Sequence, residues 1–243
     1  MKLYGLLGKT LKHSFSKTYF TNKFSAIGIT DCRYENFELA SINELPQLLI
    51  DKPAIKGLNV TLPYKQDVLQ FLDEKNDIVK EVNACNCIKI SEGRLSGYNT
   101  DVVGFLQSLK KLLESYHTHA LILGTGGSSK AVKYALNTLG INYQNVSREK
   151  RLSAISYDEL DKNMLASHQV IINTTPLGMF PNTGEAPPIP YELLTPKHLL
   201  FDLIYNPEKT VFLKMGEEKG AKIANGMEML LLQAEESWRI WNS

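Results

Sequence analysis

Short apolar runs alternate with segments of helical periodicity along the first hundred residues of the chain. The runs predict three strands, at 3–8, 32–39 and 55–62. Apolar residues at helical spacing predict helices at 16–28 and 41–50. Ser41 followed by Glu44 is the capping-box pattern that opens a helix. Because proline lacks a backbone N–H, Pro63 is expected to end the third strand.

The following segment predicts one long helix and then a hairpin. The pattern of polar and apolar positions predicts a helix over 66–82. Two strands, at 84–90 and 94–99, flank the dipeptide Glu92-Gly93, where a turn is expected. The pattern therefore places both helices and strands before residue 101.

After residue 101 the pattern becomes a more regular alternation of helix and strand. An amphipathic helix is predicted at 103–116, followed by a strand, a glycine-rich turn, a helix and a strand within 119–147. Two more strands, at 169–175 and 198–205, precede a final helix at 226–241. Strands that alternate with helices predict an α/β fold with a mostly parallel sheet and helical crossovers. We place the domain boundary near residue 101.

Composition narrows the class of protein. The chain has 243 residues, 43% of them hydrophobic and 22% charged, which suits two ordinary globular domains. A net charge of +1 gives no support for binding to nucleic acid or to a membrane surface. The N-terminal residues do not have the pattern of a secretory signal peptide, and no apolar run is long enough to span a bilayer.

The cysteines predict neither disulfides nor a metal centre. Their number, three, is odd and does not suit a disulfide framework. Cys85 and Cys87 form a C-x-C pattern without a second pair of ligands, so no zinc site is expected. The default compartment is the cytoplasm.

A glycine-rich turn is the strongest functional motif. Gly124, Gly126 and Gly127 follow an apolar strand and precede a helix. In this context a helix N-terminus offers free N–H groups to a pyrophosphate, which predicts nucleotide binding. The third glycine of the usual dinucleotide pattern falls at Ser129, so the match is a variant. The alternative is a purely structural turn.

The end of the next strand bears on the choice of cofactor. An acidic residue there usually bonds the ribose of NAD, whereas arginine suits the 2′-phosphate of NADP. Here Ser147 is followed by Arg148, Lys150 and Arg151, which favours NADP. Glu149 would repel a phosphate unless it pointed away. A solvated basic turn is the alternative interpretation.

A further set of polar side chains falls at predicted strand ends and turns. These residues are Ser14, Ser16, Asn59, Thr61, Lys65, Asn86 and Asp101. Each could be structural by itself, as a helix cap or a turn residue. Together they are poorly suited to bind a metal ion. They are well suited to bind a polyhydroxylated small molecule in a cleft between two domains.

These segments together resemble the shikimate dehydrogenase family. The motifs are NVTLPYK, GYNTDVVGF, GTGGSSKAV, NTTPLGM, DLIYNP and NGMEMLLLQA, in the family's order. The resemblance implies an N-terminal α/β substrate domain, which the boundary near residue 101 places at 1–101. The apolar face of the final helix continues past the last strand, which predicts that 226–243 packs back on this domain. The resemblance further implies a Rossmann-like, doubly wound NADP-binding domain at 102–225. The implied reaction is the NADPH-dependent reduction of 3-dehydroshikimate to shikimate, in chorismate and aromatic amino-acid biosynthesis.

The resemblance also implies roles for residues. Lys65 and Asp101 would be the catalytic pair. The shikimate pocket would be formed by Ser14, Ser16, Asn59, Thr61, Asn86, Asp101, Tyr205 and Gln233. NADP would be held by Asp77, Gly124, Gly126, Gly127, Ser128, Ser147, Arg148, Glu149, Lys150, Arg151, Leu203 and Gly226. The protein would act on a small molecule as a monomer or homodimer, without a metal.

The chain departs from the family pattern at several positions. Lys17 replaces a proline, Phe20-Thr21 replaces His-Asn, and Cys87 stands where threonine is usual. The turn Ser147-Arg148-Glu149 replaces Asn-Arg-Thr. Three alternatives therefore stay open: an enzyme that also uses quinate with NAD, a non-catalytic nucleotide-dependent sensor, and a Rossmann reductase for an amino-acid or folate substrate.

Overall fold

The computed structural model describes residues 1–11, 15–150 and 152–243. The chain divides into two compact units. Unit 1 contains residues 1–100 and 234–243, and unit 2 contains residues 101–233. In the described part of the chain, no helix has the length and apolar character needed to cross a membrane.

Unit 1 is built on a mixed six-stranded sheet. Its strands are β1 Lys2–Gly8, β2 Cys32–Glu38, β3 Ile55–Val60, β4 Glu74–Lys75, β5 Cys87–Ser91 and β6 Arg94–Tyr98. Their order is β2-β1-β3-β5-β6-β4. β5 runs antiparallel to both β3 and β6, and the other pairs are parallel. The helices are α1 Phe15–Ala26, α2 Leu45–Asp51 and α3 Asp77–Val82.

Two features of unit 1 that were predicted from local sequence, a capping box and a hairpin turn, are confirmed. The capping box at Ser41 is present, although it opens a 3-10 turn, Ile42–Glu44, that leads into α2. The hairpin turns at Glu92 and Gly93, whose φ angles of 52° and 79° are those of a two-residue hairpin turn.

The single helix predicted at 66–82 is wrong. The segment contains a 3-10 turn Asp67–Phe71, then β4, then α3. Asp73 explains the interruption, because its backbone N–H donates to Leu95 O and its carboxylate accepts from Leu95 N. Asn76 then starts a new helix by accepting from Val79 N at 2.9 Å. The predicted third strand is also shorter, ending at Val60 before Thr61.

Unit 2 contains a fully parallel six-stranded sheet. Its strands are β7 His119–Leu123, β8 Asn142–Ser147, β9 Ile155–Ser156, β10 Val170–Asn173, β11 Leu199–Asp202 and β12 Lys222–Ala224. The remaining helices are α4 Thr100–Lys110, α5 Gly127–Thr138, α6 Lys162–Ser167, α7 Val211–Glu218 and α8 Met227–Trp241. Helix α4 thus begins and ends earlier than predicted, and residues 111–116 are turns and irregular backbone.

The strand order β12-β11-β10-β7-β8-β9 places the topological switch point between β7 and β10. After β7 the chain adds β8 and β9 on one side of the sheet. After β10 it adds β11 and β12 on the other side, which is the doubly wound arrangement. The α/β fold class with a Rossmann-like sheet is thus confirmed. Ligands of such sheets bind beyond the carboxyl ends of the strands at this point.

The end of α8 completes the core of unit 1. Trp241 stacks on Tyr4, with ring centroids 4.9 Å apart, and its Nε1 donates to Ile88 O at 2.9 Å. A Cβ at Gly57 would lie 2.3 Å from Trp241 Nε1, so the indole packs directly on the backbone of β3. Residues 234–243 are therefore integral to unit 1.

Candidate active site

A buried hydrogen-bond network surrounds Asn59 near the end of β3. Its Oδ1 accepts from the Tyr34 hydroxyl at 2.8 Å, and its Nδ2 donates to Ser237 Oγ at 2.8 Å and to Asn86 O at 3.4 Å. The Tyr34 hydroxyl also hydrogen-bonds the side chain of Ser16. Asn59 thus retains one lone pair on Oδ1 for a ligand.

Asn86 is fixed in the same way. Its Oδ1 accepts from Thr100 N at 2.6 Å, and its Nδ2 donates to Thr100 Oγ1 at 3.0 Å. Thr100 is the first residue of α4, and Ser237 Oγ lies 3.2 Å from its hydroxyl. Asn86 therefore holds the start of α4 and keeps one amide N–H for a ligand.

Lys65 and Thr61 lie in the turn that follows β3, and both are half-buried. Thr61 N donates to Leu7 O at 2.9 Å, and Lys65 O accepts from Cys85 N at 2.7 Å. The backbone of the turn is thus anchored at both ends. Asp101 is half-buried and is the first residue of unit 2, so its predicted pairing with Lys65 stays a prediction.

Three other predicted residues have different surroundings. Gln233 is buried on α8 and its Nε2 donates to Leu230 O at 3.0 Å, while Tyr205 is half-buried after β11. Asp77 is the first residue of α3 and pairs with Lys80 at 3.0 Å, with 95% of its side chain exposed. Ser14 lies outside the described residues.

The glycine-rich turn adopts the geometry that a phosphate-binding turn needs. Gly124 has a φ of +105°, and a Cβ there would lie 2.8 Å from Thr174 Oγ1. Gly126 is the N-cap of α5, and a Cβ at Gly126 or Gly127 would meet nothing within 4 Å. Of the three glycines in this turn, the fold thus requires only Gly124. At 126 and 127 glycine leaves space beside the helix N-terminus, where exposed Ser128 also lies.

A cavity of about 340 Å³ opens beside this turn, at the switch point of the sheet. Its walls are the glycine-rich turn, the turn after β8 and the loop after β10. Ser147 at the end of β8 lines the cavity together with Arg148 and Glu149 from the turn that follows. The Ser147 hydroxyl donates to the backbone carbonyl of Glu149. Lys150 instead forms an ion pair with Glu159 at 2.6 Å. Arg151 lies outside the described residues.

Six residues that line the cavity were not identified from the sequence: Thr125, Tyr157, Thr174, Thr175, Pro176 and Leu177. Tyr157 lines the cavity, and burial raises its pKa to about 12, an effect that the positive charge of Arg148 opposes. Thr174 and Thr175 line it from the loop after β10, and Thr174 Oγ1 donates to Leu123 O at 2.7 Å. The position of NTTPLGM directly after a strand beside the switch point was the signal for both threonines.

The remaining predicted cofactor residues pack against each other at the same sheet edge. Gly226 N donates to Ile204 O at 3.0 Å, and a Cβ at Gly226 would lie only 2.1 Å from Leu203 O. Side chains larger than glycine are thus excluded at 226. The turn after β11 is held directly against the start of α8.

The chemistry of these groups fits a dinucleotide. An open helix N-terminus accepts a pyrophosphate, and a guanidinium on the cavity wall suits a further phosphate. In contrast, no cluster of His, Cys, Asp and Glu suited to a metal ion occurs among the residues that the structure describes.

Comparison with known proteins gives concordant results. Residues 6–88 match the family model of the shikimate dehydrogenase substrate binding domain. The shikimate dehydrogenase (NADP(+)) of Carboxydothermus hydrogenoformans is 38% identical over 257 residues, which cover 99% of this chain and 91% of that protein.

Solved structures are similar over the same extent. The Thermus thermophilus shikimate 5-dehydrogenase in complex with NADP(H) and shikimate has a TM-score of 0.86 at 29% identity, covering 99% of this chain and 93% of the other. The quinate dehydrogenase from Corynebacterium glutamicum in complex with NAD has a TM-score of 0.88 at 27% identity, with coverages of 99% and 93%.

Proposed function

The chain belongs to the shikimate dehydrogenase family, and we propose that it interconverts shikimate and 3-dehydroshikimate with NADP, in aromatic amino-acid biosynthesis. The observation that carries the proposal is the cavity at the switch point, where the open glycine-rich turn and Arg148 meet. The full-length similarity to an NADP-dependent shikimate dehydrogenase supports it. The enzyme is thus an NADP-dependent oxidoreductase that acts on the CH–OH group of shikimate.

The proposed cofactor-binding residues combine residues that line the cavity with others that the resemblance to the family implies. Gly124, Gly126, Gly127 and Ser128 would hold the pyrophosphate at the start of α5. The turn Ser147–Arg151 would hold the adenosine end, with Arg148 bonding the 2′-phosphate. Leu203 and Gly226 would contact the nicotinamide end, and Asp77 would approach the cofactor from unit 1. NADP supplies the hydride acceptor or donor, and the protein supplies binding and orientation.

For catalysis, we assign the proton to Lys65 and an orienting role to Asp101. Oxidation of an alcohol needs a group that receives the hydroxyl proton, and reduction needs the same group to return it. In reduction the ammonium of Lys65 would donate the proton and become a neutral amine, and in oxidation that amine would receive the proton of the shikimate hydroxyl. The backbone of the turn that carries Lys65 is anchored by Cys85. The carboxylate of Asp101, as an acceptor, would orient both Lys65 and a substrate hydroxyl.

The substrate-binding assignment uses the remaining polar groups. Ser14 and Ser16 would bind the shikimate carboxylate. The ring hydroxyls would be bound by Asn59, Thr61, Asn86, Tyr205 and Gln233. Because Asn59 and Asn86 are largely bonded within unit 1, each has one hydrogen-bonding position to offer, in a fixed direction. Fixed donors and acceptors discriminate well between hydroxyl patterns.

The test is a steady-state assay that follows the absorbance of NADPH, with shikimate and NADP+ as substrates. Turnover supports the proposal. Binding of NADP+ and shikimate without turnover would refute it in favour of a nucleotide-dependent sensor. Omitting the protein and substituting an amino acid for shikimate provide controls.

A second candidate is a dehydrogenase that takes quinate and NAD. Glu149 lines the cavity and is exposed, so its carboxylate is available to a ribose hydroxyl. The similarity to a quinate dehydrogenase supports this candidate. Exchanging quinate for shikimate and NAD+ for NADP+ in the same assay separates the two functions by their kcat/KM values.

We further infer a cytoplasmic enzyme that is a monomer or homodimer. Cys32, Cys85 and Cys87 form no disulfide with one another, as expected of a reducing compartment. Light scattering on the purified protein would establish its mass in solution.

A further inference from the structure

Asn173 and Asp202 form a buried polar pair behind the cavity. Asn173 ends β10 and Asp202 ends β11, and both residues are 0% exposed. They face each other in the register of the two parallel strands, and Asn173 Nδ2 donates to Asp202 Oδ1 at 3.1 Å. Burying an amide and a carboxylate costs free energy unless their hydrogen bonds are satisfied, so their other partners are informative.

On one side, the pair holds the loop 174–177. Asn173 Oδ1 accepts from Thr175 N at 3.0 Å and from Thr175 Oγ1 at 2.7 Å. The same hydroxyl accepts from Leu177 N at 3.3 Å. Since Thr175 and Leu177 both line the cavity, the amide of Asn173 fixes the shape of one cavity wall.

On the other side, the pair holds the turn 203–205. Asp202 Oδ1 accepts from Ile204 N at 3.1 Å, and the backbone of Asn173 accepts from Leu203 N at 3.1 Å. Gly226 N then donates to Ile204 O, which ties the turn to the start of α8. One oxygen, Oδ1 of Asp202, thus accepts from Asn173, which holds the loop, and from Ile204 in the turn.

A third contact of Asp202 leads away from the cavity. Thr210 Oγ1 donates to Oδ2 at 2.6 Å, and Thr210 is the N-cap of α7. Burial raises the pKa of Asp202 to about 6, and the hydrogen bonds from Thr210, Ile204 and Asn173 oppose that rise. Among the described residues, Asp202 is bonded to neutral donors and joins no ion pair.

We propose that Asn173 and Asp202 are positioning residues that hold the loop 174–177 and the turn 203–205 in one arrangement, ready to bind NADP. The inference rests on the proposed function, because it assumes that the cavity takes this cofactor. A binding wall that is already ordered avoids the entropy cost of ordering it on binding. Loss of the pair therefore weakens cofactor binding more than it slows the reaction of the bound complex.

The experiment measures NADP+ dissociation constants by calorimetry, KM and kcat by the NADPH assay, and thermal unfolding. Asn173→Ala is expected to raise Kd and KM for NADP+ about tenfold, with kcat at saturation reduced by less than about threefold. Thr210→Val is the matched control, since it removes a bond to the same carboxylate on the side away from the cavity. It is expected to lower the unfolding temperature while the Kd stays within about twofold of wild type.

Conservative variants separate geometry from folding. Asp202→Asn keeps an oxygen toward Asn173 and Ile204 and can donate to Thr210, so it should bind NADP+ at least about fivefold more tightly than Asp202→Ala. If Asn173→Ala does not fold, Thr175→Val and Thr175→Ser replace it. Serine retains the hydroxyl bonded to Asn173, and valine does not, so only valine should weaken binding.

Three results would overturn the inference. The first is wild-type affinity in Asn173→Ala, or in Thr175→Val where the former does not fold. The second is an equal loss of affinity in Thr210→Val, which would indicate general destabilisation. The third is equal binding by Asp202→Asn and Asp202→Ala. Failure of the wild-type protein to bind NADP+ would instead refute the proposed function.

Discussion

The hydroxyl of Ser129 donates a hydrogen bond of 2.6 Å to the carbonyl oxygen of Gly126, closing the turn before α5. Ser129 is 1% exposed and stands where dinucleotide-binding turns usually have a third glycine. The backbone N–H of Ser129 donates to the same carbonyl at 3.1 Å. The side chain thus adds a bond to a turn that glycine would leave less constrained.

Ser129→Ala is therefore expected to destabilise unit 2. The lost hydrogen bond contributes about 1 kcal/mol, which corresponds to about 2–4 °C in a chain of this size. Ser129→Gly should unfold at a still lower temperature because glycine disfavours a helix by about 1 kcal/mol relative to alanine. Scanning calorimetry measures both. An unchanged unfolding temperature in Ser129→Ala would contradict this account of the turn.

Lys65→Ala is expected to lower kcat at least about 100-fold, the usual contribution of an acid–base group, with a modest change in KM. Lys56→Ala is the matched control, since Lys56 is an exposed lysine on the neighbouring strand β3. The NADPH assay at saturating substrates measures the effect. A kcat close to wild type in Lys65→Ala would remove Lys65 from the catalytic pair.

Gly127→Ala should separate folding from cofactor binding. A Cβ at this position meets nothing within 4 Å, and alanine is the better helix former, so the unfolding temperature should stay the same or rise. The methyl group would occupy space proposed for the pyrophosphate, so KM for NADP+ should increase at least about tenfold. Unchanged KM would place the phosphates elsewhere.

Arg148→Ala is expected to raise KM for NADP+ at least about tenfold, because a charge-assisted bond to phosphate is lost, while KM for NAD+ changes little. Lys150 pairs with Glu159, so Lys150→Ala should have a smaller effect. Kinetics with both cofactors test the pair of variants. Equal increases for NADP+ and NAD+ would show that Arg148 does not recognise the 2′-phosphate.

The raised pKa of Asp202 predicts that the stability of the folded protein depends on pH. This pKa is raised in the folded protein from 3.8 to about 6, so between these values the folded state holds a proton that the unfolded state has released. The contribution of Asp202 to the free energy of unfolding therefore falls as the pH rises from 3.8 to about 6, and it is constant above that range. The total change is on the order of 2–3 kcal/mol.

Asp202→Asn removes this titration. The unfolding temperature of wild type, measured relative to that of Asp202→Asn, should fall between pH values of about 4 and 6 and then level off. Calorimetry across a pH series gives the difference directly. A difference that rises with pH would mean that the folded protein stabilises the ionised carboxylate.

The parts of the fold that could be predicted from sequence are those with local causes. The capping box at Ser41, the hairpin at Glu92-Gly93 and the turn at Gly124 each depend on residues within a few positions. The helix predicted over 66–82 was wrong because Asp73 pairs with Leu95, a residue 22 positions away. No local sequence pattern predicts a contact between residues so far apart in the chain.

Residues of the candidate site also differ in whether the local sequence could identify them. The glycine-rich turn and the basic residue Arg148, which both line the cavity, could be selected from their positions directly after predicted strands. Tyr34 and Ser237 could not, because each reaches Asn59 from a distant part of the chain, 25 and 178 positions away. Tyr157 was missed because no motif marks it, and only the folded turn brings it to the cavity beside Arg148.

The division of α8 between the units has a consequence for the order in which the protein matures. During synthesis, N-terminal segments emerge first and domains generally fold as units. Unit 1, however, includes residues 234–243, and Trp241 covers Tyr4 and the backbone of Gly57. Residues 1–100 therefore cannot close their core until residues 234–243 have been made, and these come after the whole of unit 2.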